Sequence, residues 1–239
     1  MELDNYVVTL RYGMSEITDN LERVRERIEG AARRVSRDPK EIKLVAVSKT
    51  VEAERIREAI EAGVTILGEN YVQEAQKKIE QIGKAVSWHL IGHLQSNKAK
   101  HAVNLFEAIH SLDSIPLAEE LNRRAEKADR KIPVMIEVNL SGEPTKFGTE
   151  EERVFGIAKK VLDLGNLSLD GLMTMPPYFD DPEMNRPFFE RLRVLKDKMA
   201  KEGIPMKELS MGMSNDFEVA IEEGATYVRV GTAIFGARK

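Results

Sequence analysis

Apolar positions along the chain alternate between two periods. Ile17, Leu21, Val24, Ile28, Ala31 and Val35 recur at three- and four-residue spacing behind Ser15, which predicts an amphipathic helix over 15–35 capped by Ser15. The stretch KLVAVSKT at 43–50 then carries the continuous run Leu44, Val45, Ala46, Val47, and a short β-branched run of this kind reads as a strand buried on both faces. Thr50 can cap a helix with Ile56, Ala59 and Ile60 on one face and Gly63 as its stop. The same order repeats along the chain. Strands are expected at 64–67, 87–91, 105–110, 132–140, 169–175, 208–211 and 227–230, and helices at 72–82, 95–104, 114–127, 150–164, 186–202 and 216–223. Ser141 to Pro144 mark the turn after the fifth strand.

Eight strands alternating with helices have the periodicity of a (β/α)8 TIM-type barrel preceded by an extra N-terminal helix. A doubly wound open sheet also alternates, but seldom needs eight strands in 239 residues. Without a linker, low-complexity segment or shift in composition, residues 1–239 are expected to form a single domain.

Composition narrows the chemistry. The 36 Lys and Arg against 40 Asp and Glu leave a net charge of -4, so no bulk attraction to nucleic acid or an anionic membrane is expected. Lys98, Lys100, His101 and the KKIEQIGK run at 77–84 read as solvated faces, since no aromatic residues interleave them. With no cysteine, disulfides, zinc–thiolate sites and cysteine nucleophiles are excluded. Of the four histidines, His89 and His93 are four apart; on a strand end and turn that spacing does not converge on one ion, so packing at the core or rim is expected and no metal. No apolar run approaches the roughly 18 residues of a membrane span, and the N-terminal MELDNYVVTLRYG lacks the basic start and apolar core of a signal peptide. A cytoplasmic location follows as the expectation.

In such a barrel the site lies at the C-terminal ends of the strands. The residues collected there are Lys49, Asn70, His93, Ser111, Asn139, Thr174, Ser210 and Arg229. A lysine at the rim of a buried strand is partly desolvated, and its amine can attack a carbonyl to form a Schiff base; a solvated lysine that begins a loop is the alternative. The 210–216 loop, with Ser210, Gly212 and Ser214, and Gly231 with Thr232 after the last strand put N–H groups and helix starts where an anion would be favoured. Ordinary capping turns are the alternative, since Ser214 with Glu218 also makes a good helix start. An amine near a phosphate seat suggests one ligand carrying both an aldehyde and a phosphate, and pyridoxal 5'-phosphate (PLP) has both. Arg229 alternates with Val228 and Val230 and would point into the barrel as a donor to an unprotonated ring nitrogen, leaving a weaker electron sink than a carboxylate partner would. An arginine on the outer barrel face, paired with a helix carboxylate, is the alternative.

The motifs KLVAVSKT, GENYVQEA (68–75), WHLIGHLQSNKAK (88–100), HSLDS (110–114), GLMTM (171–175), LSMGMSNDFEVAIEEGAT (209–226) and VRVGTAIFG (228–236) together resemble the pyridoxal phosphate homeostasis protein family across essentially the whole chain. The resemblance implies a barrel like the N-terminal domain of alanine racemase, the PLP fold type III, with the cofactor on Lys49. It also implies Asn70 beside the ring, phosphate contacts at Ser210 and Ser214, Arg229 at the ring nitrogen, and Gly231 with Thr232 at the phosphate. Alanine racemases use a second, β-rich domain that supplies a catalytic tyrosine, whereas this chain stops at Lys239, just after the eighth strand. A monomeric carrier or regulator of PLP is therefore expected, delivering to PLP-dependent apo-enzymes and without clear turnover. The alternatives are a single-domain PLP-dependent amino-acid racemase or lyase, and a cofactor-free Schiff-base aldolase.

Overall fold

The structure is a computed structural model that describes residues 15–143 and 145–237; the signal-peptide reading of the N-terminal segment and Pro144 of the expected turn lie outside them. The described residues form eight parallel strands closed into a barrel in sequence order, with the last paired to the first. The strands are β1 (Lys43–Val47), β2 (Ile66–Glu69), β3 (Ser87–Leu90), β4 (Ala108–Leu112), β5 (Ile132–Glu137), β6 (Leu167–Met173), β7 (Glu208–Ser210) and β8 (Tyr227–Val230). The helices are α1 (Glu16–Arg34), α2 (Ala53–Glu61), α3 (Val72–Ile82), α4 (Ala99–Leu105), α5 (Ile115–Lys127), α6 (Glu151–Leu162), α7 (Arg186–Lys201), α8 (Phe217–Glu222) and α9 (Thr232–Phe235). None is long and apolar enough to cross a membrane.

Helix α1 forms as its pattern requires. Ser15 Oγ accepts from Thr18 N at 3.2 Å, acidic residues occupy the first turn and Arg33 with Arg34 the last, each favourable to the helix dipole. It packs on α2, α8 and α9. Because α9 spans only four residues, it cannot cover the β8–β1 seam, and α1 supplies the missing part of the helical layer. The main apolar core lies between strands and helices. Inside the barrel a separate small cluster holds Val45, Val47 and Ile91 with Ile66 and Tyr227 against it, and most of the remaining interior is polar.

Several boundaries differ from the periodic reading. Strand β2 runs to Glu69 rather than stopping at Leu67, because the Glu69 carboxylate is paired in the interior and its backbone remains in the ladder. Strand β4 starts at Ala108 and runs past His110 through Ser111 to Leu112; the apolar Leu105 ends α4 instead, and Phe106 is its C-cap. Thr50 does not cap α2. It adopts φ 62 in the turn, and Glu52 precedes the helix without a side-chain cap.

Candidate functional site

Lys49 stands in a turn two residues past β1, half-buried, and that turn is tied down on both sides. Ser48 is fully buried, and its hydroxyl donates to Glu69 Oε1 at 2.7 Å. The Lys78 ammonium, on α3, donates to Ser48 O at 2.5 Å, Glu69 Oε1 at 2.8 Å and Glu74 Oε1 at 2.7 Å. Three protons thus meet three acceptors, the full capacity of an ammonium. Glu74 Oε1 also accepts from Thr50 N at 2.6 Å. Burial pushes the Glu69 carboxyl upward, and Lys78 and the Ser48 hydroxyl pull it back. Lys49 is therefore carried by a turn whose preceding carbonyl and following N–H are both held by charged groups.

Beside Lys49 lies a cavity of about 380 Å³, a size suited to a small cofactor. Lys49, Asn70, Ser214, Arg229, Gly231 and Thr232 all line it. The two loops expected to seat an anion meet there: Ser214 Oγ accepts from Gly231 N at 3.2 Å and Ala233 N at 3.3 Å. Ser210 and Gly212 are not among the lining residues. Ser210 is fully buried in the interior, bonded to Arg229 and His110. Gly212 has φ 90, and a Cβ there would come within 2.6 Å of Ala220 Cβ, so its glycine serves the close packing of the 210–216 loop on α8.

Arg229 points into the barrel, as the alternation of β8 implies. Its Nη1 donates to Ser210 Oγ at 2.7 Å and its Nη2 to Thr174 O at 2.9 Å. Burial pushes it down to about 10, against the pull of Glu137 and Asp216, so it remains a cation at neutral pH. Across the mouth, burial lifts Glu137 to about 7; Arg229 pulls it back and Asp113 adds to the lift. His93 sits at the rim, 3.3 Å from Asp113 and stacked on Phe147 with ring centroids 4.1 Å apart. His89 is in the core. Among the described residues no group of three or more metal-ligating side chains converges.

The periodic reading did not single out Asn185 or Asp216 as functional, and both line the cavity. Asp216 Oδ1 accepts from Met213 N at 2.6 Å and Oδ2 from Asn185 Nδ2 at 2.7 Å, which holds the 210–216 loop against the segment before α7. Asn70 and Asn185 each carry a buried amide oxygen without a hydrogen-bond partner. Such atoms are costly unless a ligand satisfies them.

The family model described as alanine racemase, N-terminal domain, matches residues 17–239. A pyridoxal phosphate homeostasis protein of Aquifex aeolicus is 48% identical over 223 residues, covering 92% of this chain and 98% of that protein. The chain belongs to this family. Two solved structures have the same architecture. The crystal structure of an unknown protein from Bifidobacterium adolescentis has a TM-score of 0.87 at 39% identity, covering 92% of this chain and 94% of its own. PipY of Synechococcus elongatus, solved with PLP bound, has a TM-score of 0.82 at 36% identity, covering 92% of this chain and all of its own. PipY thus carries the ligand class that an amine beside an anion seat suggested.

Proposed function

We propose that the protein binds pyridoxal 5'-phosphate and serves in its homeostasis, holding the cofactor at Lys49 and releasing it rather than turning over a substrate. The observation that carries this reading is the convergence on one cavity of an amine, a buried cation and a turn of backbone N–H groups: Lys49, Arg229, and Gly231 with Thr232 beside Ser214. An aldehyde would take the amine as its nucleophile, and an unprotonated ring nitrogen would accept from the guanidinium. A phosphate would accept from this turn, where Ser214 Oγ, already accepting from Gly231 N, still has its hydroxyl proton to donate. The unpartnered amide oxygens of Asn70 and Asn185 add acceptors that a polar ligand would satisfy. When bound, the cofactor supplies an aldehyde that condenses with amines and a ring that withdraws electrons.

The chain's own groups favour retention over turnover. Arg229 stays protonated and can only donate, so it would leave the ring nitrogen without the positive charge that strengthens an electron sink. Ser214, Gly231 and Thr232 would seat the phosphate, and Asn70 would flank the ring. The protein would act as a monomer and pass its cofactor to PLP-dependent apo-enzymes; size-exclusion with light scattering and transfer to an apo-enzyme under dilution check these two points.

Borohydride reduction of the protein loaded with PLP should fix the cofactor on Lys49 alone, read by peptide mass, and Lys49→Ala should lose both the label and the visible absorption band. A label on another lysine, or no band in the unaltered protein, overturns the assignment. One feature favours a second reading: Glu137 titrates near neutral pH, as a proton-transfer group would. Exchange of α-protons in L- or D-amino acids faster than with free PLP would make the protein an amino-acid racemase or lyase.

A further inference from the structure

Beneath Arg229 a continuous run of polar side chains crosses the barrel interior. Ser210 Oγ, which accepts from Arg229 Nη1, lies 2.9 Å from His110 Nδ1. His110 Nε2 lies 3.0 Å from His89 Nδ1, and His89 Nε2 lies 3.0 Å from Ser87 Oγ. The run steps from β8 to β7, β4 and β3, and the β7-to-β4 step spans strands that are not neighbours in the sheet. Arg229, Ser210, His110 and His89 are all buried, where such barrels ordinarily pack branched apolar residues.

Valence gives the run a direction. A guanidinium only donates, so Ser210 Oγ accepts from it. Among the described residues the Ser210 hydroxyl proton has one acceptor, His110 Nδ1. His110 must then carry its proton on Nε2 and donate to His89 Nδ1, and His89 carries its own on Nε2 toward Ser87. Both rings have to be neutral for this, and both are: burial, then Lys43, pushes His89 down to about 4, and burial, His89 and Arg229 push His110 well below the usual range. Every proton in the run then has an acceptor, as buried polar networks require.

We propose that Ser210, His110 and His89 are positioning residues for Arg229, a one-directional hydrogen-bond chain that, with the Thr174 carbonyl, fixes the plane and donor direction of the guanidinium at the cavity wall. The proposal rests on the PLP reading only in what Arg229 meets there; the chain itself belongs to the ligand-free protein.

The test has two arms. In the ligand-free protein, nitrogen-15 NMR should find His89 and His110 as neutral Nε2–H tautomers. Exchange of the Arg229 side-chain protons should be about tenfold faster in His110→Phe, the factor that one lost buried hydrogen bond of about 1.4 kcal/mol corresponds to. His110→Asn, whose amide oxygen stands where Nδ1 stood, should restore most of the protection, and His89→Phe should cost less than His110→Phe. An Nδ1–H tautomer or an imidazolium at His110 overturns the proposal, as does equal exchange in the Phe and Asn variants. If His110→Phe does not fold, the tautomers and His110→Asn decide. In the PLP-loaded protein the absorption band should shift in His110→Phe and stay in place in His110→Asn; an unshifted band in a folded His110→Phe overturns the proposal. Unaltered protein that binds no PLP overturns the cofactor reading and leaves the tautomer result to decide the chain.

Discussion

The turn under Lys49 and the strand segment under Arg229 solve the same problem with opposite materials. Each must hold one basic side chain at the wall of a shared cavity. Beneath Lys49 the support is charged: the Lys78 ammonium, shared between the Glu69 and Glu74 carboxylates, pulls on Ser48 O, while Glu74 takes Thr50 N. Beneath Arg229 the support is neutral: a hydroxyl, a peptide carbonyl and two uncharged imidazoles, with Glu137 and Asp216 acting on the guanidinium only through their fields. The difference follows from place. The Lys49 turn is at the rim, where Glu74 keeps 26% of its side chain in solvent, so ion pairs there escape part of the desolvation cost. Arg229 is inside the barrel, where a contacting carboxylate would itself need desolvation and would draw the guanidinium away from the cavity. A cation meant to donate outward is better held by dipoles.

The largest effect should come from breaking the charged support. Lys78→Met leaves Glu69 buried without its counter-ion and should cost about 3–5 kcal/mol in denaturant unfolding at neutral pH. Lys78→Met/Glu69→Leu should regain most of that stability without regaining PLP retention, because the ties to Ser48 are still gone; a double variant that retains PLP normally would show that the support serves stability alone. The neutral support should be the acid-sensitive one. His89 is uncharged in the fold and titrates near 6.5 when unfolded, so below 6.5 the unfolded chain takes up a proton that the folded chain refuses. That part of the stability is present above about 6.5 and is lost as pH falls toward 4, on the order of 3 kcal/mol in all. His89→Phe should flatten the slope of unfolding midpoint against pH over this window, and an unchanged slope would place the acid sensitivity elsewhere. The smallest effect separates backbone strain from charge in the Lys49 turn. Thr50 holds φ 62, and Thr50→Gly should stabilise by on the order of 0.5 kcal/mol, the relief of left-handed strain less the entropy of glycine. A lower melting temperature would mean that the Thr50 side chain contributes more than its conformation costs.

How legible the site was depended on how local its determinants were. Arg229 could be assigned to the interior from its alternation with Val228 and Val230, and Lys49 to a rim from the apolar run before it. Ser210 shows what spacing leaves open: a serine at a strand end reads the same whether it faces a ligand or a neighbouring arginine, and only the barrel's closure puts Arg229 beside it. The boundaries of β2 and β4 were misplaced where Glu69 and Ser111 looked like loop residues, although each is buried with a partner. Asn185 escaped notice and Asp216 entered only as the end of the 210–216 loop, because a single amide and a helix-start aspartate carry no pattern.

The sequence by itself determined the alternation, the count of strands, the helix that precedes them, the lysine after β1 and the family. These are local periodicities and contiguous motifs, and apolar spacing along a chain is enough to specify them. Only the tertiary structure decided what those residues stand on. His110 and Ser210 are 100 positions apart and Lys78 and Ser48 are 30 apart, and no spacing rule relates them. The first contact exists because eight strands close in one register and turn alternate side chains inward, where each buried polar group finds its partner across the barrel; the second exists because α3 packs beside the turn after β1.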